Sequence, residues 1–301
     1  MDDVFADRLD PKTLKSLNTR SDVKGLIRWC SHLLTLGALA ALISLIPFSP
    51  WLVPALVVYG GLLIFLFAPL HECIHRTAFR SRWLNDGVAL LTGAVLILPS
   101  GYFREFHFAH HRHTQDPAQD PELASAKPAS LGAYFWLLTG VPYWRERITT
   151  TLGHSFGRVD EAFIAPRKRP AIAREARSYL LIYAAAIAVS VAGESPAIVL
   201  YWLAPALLGQ PALRLFLNAE HGNCPLTKDM LKNSRTTRSN AFVRWFAWNM
   251  PYHAEHHAYP GLPFHALPAA HQHLAPAIET QASGYLAVNW QLLATIIKRL
   301  S

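Results

Sequence analysis

The sequence predicts an all-α integral membrane protein, with four transmembrane helices in two hairpins and a cytoplasmic helical cap that includes interfacial and re-entrant helices. Three observations carry this. Hydrophobic residues make up 51% of the 301-residue chain and charged residues 16%, where an ordinary soluble domain is about 25% charged. Several uncharged stretches approach the roughly 20 apolar residues that a membrane crossing needs. Yet mean hydropathy is only +0.17, too low for a chain wholly in lipid, so a substantial water-facing part accompanies the spans.

The elements follow in order. Met1 to Lys24 is polar and charged and lacks the apolar core of a cleaved signal peptide. The first span runs over about 26–46, with Arg28 reaching toward the interface near one end. The second, about 51–70, is free of charge, and Pro47-Phe48-Ser49-Pro50 between them is short enough only for a tight hairpin. A second hairpin, about 178–193 and 195–213, turns around Glu194; Pro54, Pro205 and Pro211 are tolerable where neighbouring helices satisfy freed carbonyls.

The hairpin loops carry no Lys or Arg, whereas the long connection holds Arg76, Arg80, Arg82, Arg104, Arg112, Arg145, Arg147, Arg167, Lys168 and Arg169. The bias of basic residues puts this connection and both termini in the cytoplasm. Gly87 to Phe103 is uncharged, but a crossing there would separate polar clusters that need one another, and basic residues flank both ends. It is read as a re-entrant or surface-buried helix. Tyr134-Phe135-Trp136 reads as an interfacial helix. No linker, repeat or charge block divides the chain, so residues 1–301 are expected to form one domain.

Three histidine clusters stand just outside the apolar segments: His71-x-x-x-His75, His107-x-x-His110-His111 and His253-x-x-His256-His257. With 15 His in the chain, a three-histidine template arises by chance with an expectation of only ~0.04 over this length, so two occurrences are not accidental. Helical residues at i, i+3 and i+4 share a face, which lets each cluster aim several imidazoles at one point. Imidazole suits iron, zinc and copper, and eight clustered histidines suit two ions rather than one. The competing reading, histidines satisfied by backbone or lying on a wet face, does not account for the repeated spacing.

His221, in Asn218-Ala219-Glu220-His221, follows the fourth span as His71 follows the second, and is added to the expected ligands. Asn218 is a candidate weak or water-mediated ligand. Metal-bound imidazoles usually donate their other ring proton to a carboxylate or carbonyl, and Glu220 and Glu255 are the preferred partners, ahead of Glu72 and Glu105. In Asp116-Pro117-x-x-Asp120-Pro121-Glu122, prolines force a turn whose carboxylates can latch the loop to Arg or His. His32, His113, His154, His265, His271 and His273 have no ligand spacing. Cys30, Cys73 and Cys224 form neither a disulfide framework nor a CxxC pair.

With these residues in place, the chain resembles the membrane fatty acid desaturase superfamily, whose three histidine boxes and additional Asn/His element read here as HECIH, HFAHH, YHAEHH and NAEH. The likeness runs from about His71 to Leu267. It implies four spans, a cytoplasmic cap and a di-iron centre (two Fe ions) held by His71, His75, His107, His110, His111, His221, His253, His256 and His257. It also implies dioxygen activation, a lipid or acyl-chain substrate, and electrons from a ferredoxin or cytochrome b5 system.

The Asn218-to-His221 spacing is one residue shorter than in acyl-CoA desaturases, which weakens the transfer of Asn218. The three-residue gap in the first box is that of acyl-lipid enzymes and carotenoid ketolases. No His-Pro-Gly-Gly of a fused cytochrome b5 is present, so the donor is expected to be separate; a net charge of +8 suits an acidic ferredoxin. Nucleic acid is not an expected partner. Hydroxylation or ketolation of a lipid, carotenoid or other hydrophobic substrate needs the same motifs and stands as the alternative chemistry. Zinc has no redox chemistry and would leave only hydrolysis or hydration. A non-catalytic metal-binding membrane protein is the reading of another class; transport is disfavoured because the spans hold almost no ionisable residues.

Overall fold

The computed structural model describes residues 9–125 and 127–300; the first eight residues of the polar N-terminal segment lie outside the described residues. Almost all regular structure among them is helical. Sheet is confined to one parallel pair, Thr236–Thr237 with Gln281–Ala282.

Three helices are long and apolar enough to cross a membrane: Asp22–Ser44, Leu52–His75 and Pro166–Ala192. The first starts where the Ser21 hydroxyl accepts from the Lys24 N–H, satisfying one of the amides a helix start leaves unpaired. Its outward side chains, Leu34, Leu42 and Leu45 among them, are exposed, as they are on a helix whose surroundings are lipid. The second is written as Leu52–Ile64 and Phe67–His75 with a slight irregularity between, and it ends in the first histidine pair. Arg76 closes it in the left-handed conformation, φ 59°.

The region read as one re-entrant helix over 87–103 is two helices, Arg82–Val95 and Ser100–His113, bent by 97° at the break. Ile97 has φ 50° and Pro99 cannot donate, so the helix cannot continue. Carbonyls at and just before the break accept from side chains of other helices. Tyr179 Oη donates to Leu90, Tyr183 Oη to Ala94, Trp202 Nε1 to Val95 and Tyr143 Oη to Leu96, at 2.8–3.1 Å. On the other side of the break, Ser100–His113 has no N-cap of its own. The Glu175 carboxylate supplies one, accepting from Ser100 Oγ at 3.0 Å, Gly101 N–H at 2.8 Å and Tyr102 N–H at 3.3 Å. This fixes the end of the helix that carries the second cluster.

The second hairpin departs from its expected bounds. The helix expected over 178–193 begins at Arg169 and ends at Ala192, because Arg and Ala are good helix formers and extend it beyond its apolar part. After a turn at Glu194, φ 48°, the segment expected as the fourth span is a π turn, Val199–Leu203, leading into Ala204–His221. Arg214, Glu220 and His221 make that helix too polar to stand among the three. The bent pair Arg82–Val95 and Ser100–His113 passes the same test only when its two helices are taken together, as a broken span or a re-entrant loop.

Ala204–His221 nevertheless lies at the centre of the helix packing. A Cβ added to Gly60 would run into the Pro205 carbonyl, and one on Gly209 into the Gly60 carbonyl. Small residues thus let the two backbones touch, and the crossing holds His71 and His221 at one end of the bundle. Arg235 donates to the Ala219 and Gly222 carbonyls at the C-terminus of the same helix. Leu131–Leu138 forms the short aromatic helix expected around Tyr134, and Tyr134 Oη donates to Asn289 on Tyr285–Leu300 at 2.6 Å.

Candidate metal centre

Each histidine arrives on a short helical turn whose direction is set by the packing above. Phe67–His75 brings His71 and His75, Ser100–His113 brings His107, His110 and His111, Ala204–His221 ends on His221, and His253–Ala258 brings His253, His256 and His257. One ring nitrogen from each of His71, His75, His107, His111 and His256 lies within 4.8 Å of the others. A second group, His110, His221 and His257, meets the same limit. His253 lies beside the second group, its Nε2 2.9 Å from His221 Nε2. The groups adjoin where the His111 and His257 rings stack at 4.2 Å between centroids.

The two HxxHH clusters do not aim at single points. Adjacent residues on a helix diverge by about 100°, so His107 and His111 turn to the five-membered group while His110 turns to the other. His256 and His257 part in the same way. All nine expected histidines are brought together, divided between two centres.

The contacts inside the groups are telling. His71 Nε2 lies 2.7 Å from His107 Nε2, which lies 2.9 Å from His111 Nε2; His256 Nε2 is 3.1 Å from His111 Nε2. In the second group His110 Nε2 is 3.2 Å from His221 Nε2. A neutral imidazole has one donor and one acceptor, so convergent Nε2 atoms cannot all find complementary partners in one another. Several opposite ring nitrogens, including Nδ1 of His71, His107, His111 and His256, are buried with no partner among the described residues. Burial holds His253, His256 and His257 far below the ordinary histidine range and lowers His221 to about 3. Those rings are therefore neutral, the form that binds metal; at His110 burial is outweighed by Glu122 and Asp120, which raise it. Convergent, neutral, buried imidazoles fit cations that accept nitrogen ligands, two of them side by side.

Several rings are oriented from behind. His110 Nδ1 lies 2.9 Å from Asp120 Oδ1 and 3.7 Å from Glu122 Oε2. His221 Nδ1 faces the Asn233 carbonyl at 3.0 Å, and His257 Nδ1 faces Thr114 Oγ1 at 3.3 Å. Glu220 Oε1 is 3.4 Å from His253 Nδ1, without hydrogen-bond geometry. Glu255 turns away from the cluster: it accepts from Thr236 Oγ1 at 2.6 Å and pairs with His271 Nδ1. Glu72 is taken up by Thr77 Oγ1 at 2.7 Å and the Phe264 N–H at 3.2 Å. Asn218 is in neither group and its amide lies 3.4 Å from Asn289 Oδ1.

Asp120 belongs to the Pro-containing turn that the sequence marks as a latch, whereas Thr114, Asn233 and the Glu255 partner His271 carry no spacing signal. Cys73 is buried outside both groups as a free thiol.

Comparison with known proteins places these groups in context. The family model described as fatty acid desaturase matches residues 48–289. The chain is 36% identical over 125 residues to an sn-1 oleoyl-lipid 12-desaturase of Synechocystis sp., covering 38% of this chain and 35% of the relative. It is 30% identical over 132 residues to the protein of the same name from Picosynechococcus sp., covering 41% of this chain and 38% of the relative. Both alignments thus span well under half the length of those relatives. A dihydrorhizobitoxine desaturase of Bradyrhizobium elkanii is 27% identical over 271 residues, 80% of this chain and 72% of that protein.

Proposed function

This chain belongs to the fatty acid desaturase family, and on that premise we propose that it introduces a double bond into the acyl chain of a lipid, using dioxygen and two irons. The observation that carries the reading is the pair of adjoining histidine groups, five and three strong, with His253 beside the second. The proposed ligands are His71, His75, His107, His110, His111, His221, His253, His256 and His257. When bound, the irons supply the redox capacity needed to oxidise an unactivated C–H bond with O2. Over one turnover, the chain loses two hydrogen atoms, that is two protons and two electrons; a donor gives two more electrons, two protons come from solvent, and O2 leaves as two waters.

The protein's own groups hold and orient. Asp120 keeps a proton on His110 Nδ1, and the Asn233 carbonyl keeps one on His221 Nδ1, so that each Nε2 presents its lone pair to the second group. Phe67 and Phe103 pack against His71 and His107, and Phe108 against His75. These rings make that side of the centre apolar, as the proposed hydrocarbon substrate requires.

The same reading makes the whole chain one working unit. The spans form two hairpins, with the metal site and both termini cytoplasmic. The donor is a separate ferredoxin or cytochrome b5 type protein, and the basic balance of the chain favours an acidic one. The support is the family, the membrane-length helices and the distribution of basic residues. The test is mass spectrometry of total lipids from a host expressing the chain, beside a His256→Ala control. A product 2 Da lighter that the control lacks is expected. A control-sensitive product 16 Da heavier, or 14 Da heavier for a ketone, would replace desaturation with hydroxylation or ketolation.

A further inference from the structure

A second polar feature lies beside the histidines, where two helices that are not themselves candidate spans face each other. On Ala204–His221, Gln210, Arg214 and His221 are spaced i, i+4 and i+11, so they share one stripe. Facing it is the stripe of Gly140, Tyr143 and Arg147 at the start of Val141–Ser155. The two meet side chain by side chain. A Cβ on Gly140 would strike the Gln210 side chain, and the Arg214 guanidinium lies over the Tyr143 ring at 4.7 Å. The Arg147 guanidinium is 5.9 Å from the same ring.

Among these groups unpartnered donors outnumber unpartnered acceptors. Gln210 is fully buried and neither its amide nitrogen nor its oxygen has a partner. The Nε atoms of Arg147 and Arg214 are buried and unpartnered, as is Nε1 of Trp144, whose ring packs on Tyr143. Arg214 makes no hydrogen bond or ion pair among the described residues. Buried polar groups are almost always paired. Charge, in contrast, is not in surplus: Arg147 pairs with Glu146, and Glu122 and Glu146 act electrostatically on Arg214. The stripe leaves four donor nitrogens unpartnered against one acceptor, the Gln210 oxygen.

We propose that Gln210, Arg214 and Arg147 bind a neutral carbonyl, of an ester or amide, on the substrate, and so determine which chains the centre accepts. This rests on the desaturase reading for its substrate but not for its geometry. Arg214 precedes His221 by seven residues, about 10 Å of helix, and that offset sets how far from the carbonyl the chain reaches the histidines. Replacing Arg214 therefore changes binding and the position of oxidation without removing a metal ligand.

The test is native mass spectrometry of the iron-loaded protein with three probes of equal chain length: methyl oleate, oleic acid and 1-octadecene. Wild type is expected to bind methyl oleate at least tenfold more tightly than 1-octadecene, and oleic acid no more tightly than methyl oleate. Arg214→Leu and Gln210→Leu are expected to erase the preference for the carbonyl while keeping wild-type iron content and octadecene binding. Should Arg214→Leu not accumulate, Gln210→Leu and Arg214→Lys decide by the same ratio. A preference that survives in the folded variants, or is missing in wild type, overturns the site; a marked preference for oleic acid over methyl oleate overturns its neutral character. Wild type that binds as expected but yields no oxidised lipid would refute the proposed activity and leave this site standing.

Discussion

At the scale of single residues, the division of labour between adjacent histidines is the main result. His110 and His111 are neighbours in sequence yet serve different groups, and so do His256 and His257. The spacing identified the residues but not their partition, because a motif gives the angle between side chains and not the positions of the other helices. Asp120 illustrates the opposite case. Its Pro-flanked turn was recognisable as a latch, and the structure attaches it to His110 at 2.9 Å. Asp120→Asn keeps the turn's acceptor but removes the charge that favours His110 as a ligand. Iron affinity or activity should fall about 10- to 100-fold, measured by iron titration and product formation. Glu255 was an attractive partner by adjacency alone, but on its short helix it points to Thr236 and His271. One residue of separation says nothing about direction when the backbone is about to turn.

At the scale of elements, the centre depends on two features remote from the metal. The Gly60–Gly209 crossing sets how closely Leu52–Ile64 and Ala204–His221 approach. Gly209→Val would force the backbones apart and cost about 1–3 kcal/mol as an overpacked contact, seen as a lower melting temperature and lower iron occupancy together. Glu175 caps the helix of the second cluster from another helix. Its replacement by Ala should cost about 0.5–2 kcal/mol, measured by thermal unfolding in detergent, with Glu175→Gln losing less. The first two apolar stretches were legible because uninterrupted uncharged residues admit few alternatives. The 97° break was not, since its uncharged run continues straight through Leu96 to Pro99 and the carbonyls around it accept from Tyr and Trp of distant segments. The π turn at Val199–Leu203 leaves no compositional trace either.

At the scale of the whole molecule, nine histidines from four segments converge only when the helices are packed, so metal bound at them would be linked to folding. A ligand that binds only the native state stabilises it in proportion to the logarithm of its concentration over Kd, about 4 kcal/mol at 1,000 times Kd. Chelation should therefore lower the melting temperature of the wild-type protein, with iron restoring it, and should leave a His256→Ala His257→Ala variant nearly unaffected. The most direct measurement of the central claim is the metal content of the purified full chain, by elemental analysis against protein concentration. The account predicts two irons per polypeptide, reduced in both His256→Ala and His257→Ala, one variant for each group. A wild-type protein reconstituted with iron that holds only one, or that retains both irons in both variants, would contradict it.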